Sequence, residues 1–287
     1  MKLLNLGCGS RFHRDWINID FYSLDESILP YNLLQGIPFE DNCIDVVYHS
    51  HLLEHFTRKD SFVFLLECNR VLKPGGIIRT VVPDLELIAK EYLEKLNMAL
   101  KNDTHAQMDY EWIILELLDQ IVRVEPGGEM LNYLKQKDLT NKDYIVKRIG
   151  RLAEIIWNES SKDDGKYQSE LSPKRQAMSE IVYFKKNIYN LKKYIKKIFF
   201  RKEILYYKEF KEESELGRFR LSGEIHQWMY DRYSLAKLMR DTGFANIEKK
   251  NAFESNILNW NKYNLDSVND EPIKPDSLYM EAKKIQE

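Results

Sequence analysis

The stretch LNLGCGS, residues 4–10, most constrains the fold, because an apolar run passes without a break into two glycines one residue apart. Such a run is a short buried strand. Gly7 and Gly9 let the chain turn tightly at its end and bring N–H groups against a ligand with no Cβ in the way. The third glycine of the dinucleotide fingerprint is missing, since Phe12 stands there. The next strand, WINID, closes on Asp20, and a carboxylate at that strand end can accept both hydroxyls of a ribose. The gap from Gly7 to Asp20 is shorter than the roughly 20 residues of the dinucleotide pattern, so the first crossover helix is trimmed.

Further strands are predicted at KLLNL (2–6), IDVVYH (44–49), IIRTVV (77–82), NIEKKNAF (246–253) and SLYMEAKK (277–284). A helix is predicted over 60–72, with Phe62, Leu65, Leu66, Asn69 and Leu72 on or near one face and Lys73-Pro74-Gly75 ending it. Thr57 and Asp60 have the capping-box spacing and place its start. A second helix over 233–244 stops at Gly243. Between them, about 86–222 is rich in Lys, Glu, Tyr and Leu and mostly helical in period. The fold expected is α/β, a Rossmann-like seven-stranded, mostly parallel sheet. Residues 1–92 and 222–287 form its core, and 93–221 form an inserted helical cap that serves as substrate lid.

The 287 residues carry a formal net charge of −2, which argues against a nucleic-acid partner. The three cysteines have neither the count nor the spacing of a disulfide framework or zinc ribbon, and no apolar run reaches membrane-spanning length. A cytoplasmic protein is expected. One segment departs from this balance. Over 181–202 an apolar face from Ile181 to Ile198 is flanked by lysines and arginine without an acid, which suits peripheral contact with an anionic membrane, a phosphate-bearing substrate, self-association or packing on its own domain.

LNLGCGS, NID, PYNLLQGIPFEDNCIDVVYHSHLLEHF and RVLKPGGIIRTVVPDL, in that order, resemble the class I S-adenosylmethionine-dependent methyltransferases, particularly the type-11-like branch. The tail, with GEIHQWMYD and LMRDTGFANIE, is similar to a subgroup associated with bacterial surface-polysaccharide synthesis. The resemblance covers about 1–92 and 222–285. It implies S-adenosylmethionine as cofactor, held by Gly7, Cys8, Gly9, Asp20, Asn32, Leu33, Ser50 and His51. It also implies methylation of an oxygen on a sugar or nucleotide-sugar precursor. Other small acceptors, or an inactive cofactor-binding partner protein, are the alternatives. Asn5 and Asn32 stand where many relatives have acids, a departure that weakens the negative charge of the site.

SHLLEHF (50–56) contains His51, Glu54 and His55 in the H-x-x-E-H order of inverted zinc proteases. The helix start at Thr57 puts that stretch before the helix, and no third ligand is recognisable downstream, so no metal is expected. Ser50 and His51 are then assigned to the cofactor, and His55 to substrate or to anchoring the loop. A hydroxyl acceptor needs a base within hydrogen-bond reach. His226 in GEIHQWMYD is the first candidate, followed by Asp84 and His51, with Trp228 and Tyr230 as a sugar-stacking surface.

Overall fold

A computed structural model describes residues 1–160 except 24, 102 and 137, and residues 215–286 except 221. The basic segment 181–202 lies outside the described residues. Met1–Trp157 and Gly223–Glu287 form one compact unit, and Asn158–Ser222 form a second. Among the described residues no helix is long and apolar enough to cross a membrane.

Seven strands build the main sheet of the first unit. They are β1 (Leu3–Leu6), β2 (Ile17–Asp20), β3 (Ile28–Pro30), β4 (Ile44–Ser50), β5 (Leu72–Pro83), β6 (Phe244–Lys250) and, after a two-stranded ribbon of β7 (Ser267–Val268) and β8 (Glu271–Pro272), β9 (Ser277–Lys284). Their spatial order is β3-β2-β1-β4-β5-β9-β6. The pairs from β3 to β5 are parallel, and only β9 runs antiparallel to its neighbours. The expected seven-stranded, mostly parallel sheet is therefore the observed one. Chain order reverses beside β1, and the crevice beyond the carboxyl ends of β1 and β4 is where such sheets bind ligands. β1 runs out into Gly7, β2 ends at Asp20 and β4 at Ser50, so the strands bring these positions to one edge.

Strand β3 is too short and too exposed to leave a period-two signature, with only Ile28 buried. Strand β5 begins five residues before its apolar run. Leu72 pairs with Ile44 and Ile77 with Val46, so Lys73–Gly76 form an irregularity inside one strand rather than a turn before it.

Helix α1 (Arg58–Val71) starts where the capping-box spacing put it, with the Thr57 hydroxyl oxygen accepting the Asp60 N–H at 3.2 Å. Its buried stripe is Ser61, Phe64, Leu65, Cys68 and Val71, whereas Phe62 and Leu66 are exposed. The run FVFLL is apolar on every side, so periodicity alone left the stripe's rotation open. Thr57→Ala should cost about 1 kcal/mol of stability, measurable by urea denaturation.

Phe64, Leu65 and Cys68 of α1, with Leu235 and Met239 of the carboxyl-terminal helix (Arg232–Asp241), cover one sheet face. The other face is covered by aromatic side chains from an irregular segment, Trp260 and Tyr263, packed on Trp16, Tyr48 and Tyr279. After β5 the chain turns helical: α2 (Leu85–Ala99), α3 (Thr104–Val122), α4 (Gly128–Leu134), α5 (Lys142–Ile149) and α6 (Arg151–Ser160). A third apolar cluster around Trp112, Tyr133, Ile145 and Ile149 joins α3 to α5, pinned by a buried Glu116–Arg148 ion pair.

Candidate functional site

The glycine turn is stitched to the sheet by its own backbone. Gly7 and Cys8 donate N–H groups to the Ile19 carbonyl at 2.8 and 3.2 Å, and the Gly9 N–H reaches Asp20 Oδ2 at 2.7 Å. Gly7 (φ +65°) and Gly9 (φ +52°) are both left-handed. A Cβ on Gly7 would strike Leu52 at 2.8 Å, whereas one on Gly9 would meet no atom within 4 Å and would stand in open space. That space is a cavity of about 230 Å³ lined by Asn5, Gly7 to Arg11, Tyr48, Ser50, His51 and Lys274. Bare backbone on one side, a neighbouring carboxylate and a buried floor fit an adenosine cofactor with an amino-acid tail.

Asn5 explains its own departure from an acid. It is buried, and its amide donates to the Arg11 carbonyl at 3.0 Å and to Asn18 Oδ1 at 3.2 Å, tying down the far limb of the turn. An aspartate could donate neither bond. Asn32 is occupied as the cap of the short turn Leu33–Gln35, accepting the Leu34 N–H at 3.0 Å, and Leu33 packs into the core. Of the predicted cofactor residues, Gly7, Cys8, Gly9, Ser50 and His51 therefore line the cavity, Asp20 is bound to it through Gly9, and Asn32 and Leu33 stand apart from its wall. Burial, with the Asp20 charge adding to it, pushes the Cys8 thiol up to about 12, so this cysteine is a neutral wall residue.

His51 occupies the junction. Its backbone is left-handed (φ +51°), which is costly for a residue with a Cβ and is tolerated where surrounding bonds impose it. Here its N–H is held by the Val81 carbonyl at 2.9 Å, its Nε2 lies 2.9 Å from Ser277 Oγ, and its Nδ1 lies 3.1 Å from Glu54 Oε1. The residue lines the cofactor-type cavity and also a second cavity of about 210 Å³. That second cavity takes Glu116 and Gln120 from α3, Arg123 just beyond it, Met130 and Leu131 from α4, and Lys274 and Asp276 from the turn before β9. Lys274 borders both cavities as well.

Behind His51 lies an unusual polar cluster. Glu54 is fully buried; beyond the 3.1 Å contact of Oε1 with His51, its Oε2 finds no hydrogen-bond partner among the described residues. Four of the chain's six histidines surround it electrostatically: His49, His51, His55 and His226. His55 and His226 meet edge to face at 4.9 Å, and His55 Nδ1 lies 3.2 Å from the Ile225 carbonyl. Backbone bonds hold the two segments together. The N–H groups of Gln227 and Trp228 reach the Glu54 carbonyl at 2.7 and 3.2 Å, and that of His226 reaches Gln120 at 2.9 Å. Burial pushes His226 down to about 3 and His49 to about 4, and it lowers His51 too, with Lys274 adding to that. Burial would raise Glu54, but the hydrogen bond from His51 Nδ1 at 3.1 Å holds its carboxyl below the usual range.

The structure takes three other predicted residues elsewhere. Asp84 caps α2, its Oδ1 accepting the Glu86 and Leu87 N–H groups at 3.1 and 3.2 Å, and its Oδ2 pairs with Lys249 at 3.3 Å. Tyr230 is buried in the core and donates its hydroxyl to Ser61 at 2.9 Å. Trp228 is exposed, with the Arg58 guanidinium over its ring at 4.8 Å. Each lies outside the walls of the two cavities that meet at His51. Conversely, Lys274, Asp276, Glu116 and Arg123 carry no motif, and only the folded chain assembles them.

Residues 4–80 match the family model described as a methyltransferase domain. That domain belongs to enzymes whose cofactor is S-adenosylmethionine, in keeping with the glycine turn and Asp20. A 50-residue stretch, 17% of the chain, is 42% identical to the probable methyltransferase ltbC of Aspergillus luteorubrus, and the match spans 18% of that relative. Among solved structures, a SAM-dependent methyltransferase from Archaeoglobus fulgidus is 11% identical with a TM-score of 0.37, covering 99% of this chain and 86% of that one. The CurJ carbon methyltransferase is 10% identical with a TM-score of 0.38, covering 99% and 48%. Overlaps this loose add nothing to the fold, which the strand order establishes.

Proposed function

We propose that the protein is an S-adenosylmethionine-dependent methyltransferase acting on an oxygen of a small polar acceptor, a sugar or nucleotide-sugar precursor of a surface glycan. The observation that carries this reading is that His51 lines two cavities, one backed by the glycine turn and one with a mixed wall of polar side chains from α3 and the β9 turn and apolar ones from the helices that follow. Gln120, Arg123, Lys274 and Asp276 give that wall a polar part suited to hydroxyls, beside an apolar part that includes Met130, Leu134 and Ile149. The glycan class rests on the resemblance of the tail segment.

Bound S-adenosylmethionine supplies an electrophilic methyl group on a sulfonium. The chain's own contribution is placement. Gly7 and Gly9 leave room for the ligand's approach, and the Asp20 carboxylate, steadied by the Gly9 N–H, keeps lone pairs for ribose hydroxyls. Holding an acceptor in line removes an entropy cost on the order of 7–11 kcal/mol in favourable cases. His51 is the histidine that lines both cavities. With Nδ1 turned to Glu54, its Nε2 carries the lone pair that Ser277 now approaches, and that nitrogen receives the acceptor's proton. His226, the first candidate base from sequence, sits behind it in the Glu54 cluster.

Calorimetry with S-adenosylhomocysteine tests the cofactor half, and one site per chain is the expected result. Gly9→Val should abolish this binding, because a branched side chain is strained at φ +52° and its Cβ enters the open cavity. Absence of binding by the parent protein would overturn the methyltransferase reading. Binding without labelled-methyl transfer to any nucleotide sugar would overturn the glycan class alone.

A further inference from the structure

The Glu54 cluster has the composition of a metal centre that the cofactor reading does not use. Glu54, His55 and His226 each offer one donor atom, and the three atoms all lie within 4.8 Å of one another. Two features distinguish them from an ordinary buried polar cluster. Glu54 is wholly excluded from solvent, with Oε1 met by His51 Nδ1 at 3.1 Å and Oε2 without a hydrogen-bond partner among the described residues, an arrangement that costs free energy unless something positive occupies the site. His55 is already oriented as ligating histidines are. Its Nδ1 faces a carbonyl at 3.2 Å, which can only accept, a contact that leaves Nε2 as the nitrogen for a metal. His226 completes the set from a distant part of the chain, and the Gln227 and Trp228 bonds to the Glu54 carbonyl fix its approach.

We propose that Glu54, His55 and His226 bind one divalent first-row transition-metal ion of the zinc class. Two imidazoles and one carboxylate suit zinc or cobalt, whereas magnesium and calcium prefer all-oxygen sites. Bonds of about 2.0–2.1 Å in a tetrahedron set donors about 3.3 Å apart, so the outermost pair must close by at most about 1.5 Å. Three protein donors leave a position for water. His51 is then the outer partner of the ligating carboxylate, 3.1 Å from its Oε1 and itself held by Ser277. The site answers the H-x-x-E-H pattern in an altered way. The first histidine of the motif supports the glutamate, and the third donor comes from His226.

The test uses the full-length protein freed of metal by a chelator and titrated with cobalt(II) while visible absorption is followed. One equivalent should give a saturating ligand-field band, which zinc displaces and magnesium does not. His226→Ala and His55→Ala should each weaken the site at least about 100-fold, beyond the 10–100-fold typical of outer-sphere changes. His105→Ala, at an exposed histidine on α3, should leave the titration unchanged. Thermal melts in chelator establish that each variant folds, and either ligand variant that folds is sufficient. Lack of saturation at one equivalent, unchanged binding in the folded ligand variant, or loss of binding in His105→Ala would overturn the proposal. S-adenosylhomocysteine binding measured on the same metal-free samples reports separately on the cofactor reading, from which the metal site is independent.

Discussion

Replacing His51 by Asn should lower methyl transfer by about 10²–10⁴-fold, the range usual for a positioned proton acceptor, while S-adenosylhomocysteine binding changes little. Asn is the informative substitution because the position is left-handed (φ +51°), a conformation Asn tolerates better than other residues with a Cβ. The amide keeps polarity at the wall but cannot accept a proton. Single-turnover transfer of a labelled methyl group, alongside calorimetry with S-adenosylhomocysteine, separates the two effects. Turnover within a few fold of the parent would remove His51 from the chemistry and return His226 to consideration.

Arg79→Met should destabilise the fold by about 3–5 kcal/mol, read as a lower urea midpoint with unchanged slope. Arg79 is fully buried in β5 and binds Asp266 Oδ2 and Glu281 Oε1 at 2.7 Å each, and the Glu254 and Asn251 carbonyls at 3.0 and 2.7 Å. Its guanidinium also lies over Trp260 at 4.6 Å. Removing it strands two buried carboxylates, so Arg79→Met with Asp266→Asn and Glu281→Gln should recover part of the loss. The damage should reach the cofactor as well. Tyr48, whose hydroxyl donates to Asp266 at 2.6 Å, is part of the cavity wall, so weaker S-adenosylhomocysteine binding should accompany the lost stability. A variant as stable as the parent would show that the pair is neutral in this fold.

The local grammar was legible where one residue's neighbours decide its conformation. The strand into Gly7 and Gly9, the cap at Thr57 and the stop at Gly243 follow from sterics and hydrogen bonds within a few residues, and they stand as read. Legibility failed where the apolar signal was isotropic or absent. The stripe of α1 turned toward Phe64 and Cys68 because FVFLL offers every face, and β3 escaped notice because only one of its side chains is buried. Aspartate at a strand end was equally ambiguous. Asp20 takes the Gly9 N–H beside the cavity, whereas Asp84 is consumed by capping α2.

By itself, the sequence determined the α/β sheet and the glycine turn at the carboxyl edge of its strands, since strand pattern and glycine geometry are short-range properties of the chain. Tertiary structure alone decided what the H-x-x-E-H segment does. His51 lines two cavities because it follows β4 and is held by Val81 of β5 and Ser277 at the start of β9, and Glu54 and His55 acquire His226 because residues 226–228 lay their backbone against Glu54 and Gln120. Contacts between such distant segments depend on how whole elements pack, and no residue spacing encodes them.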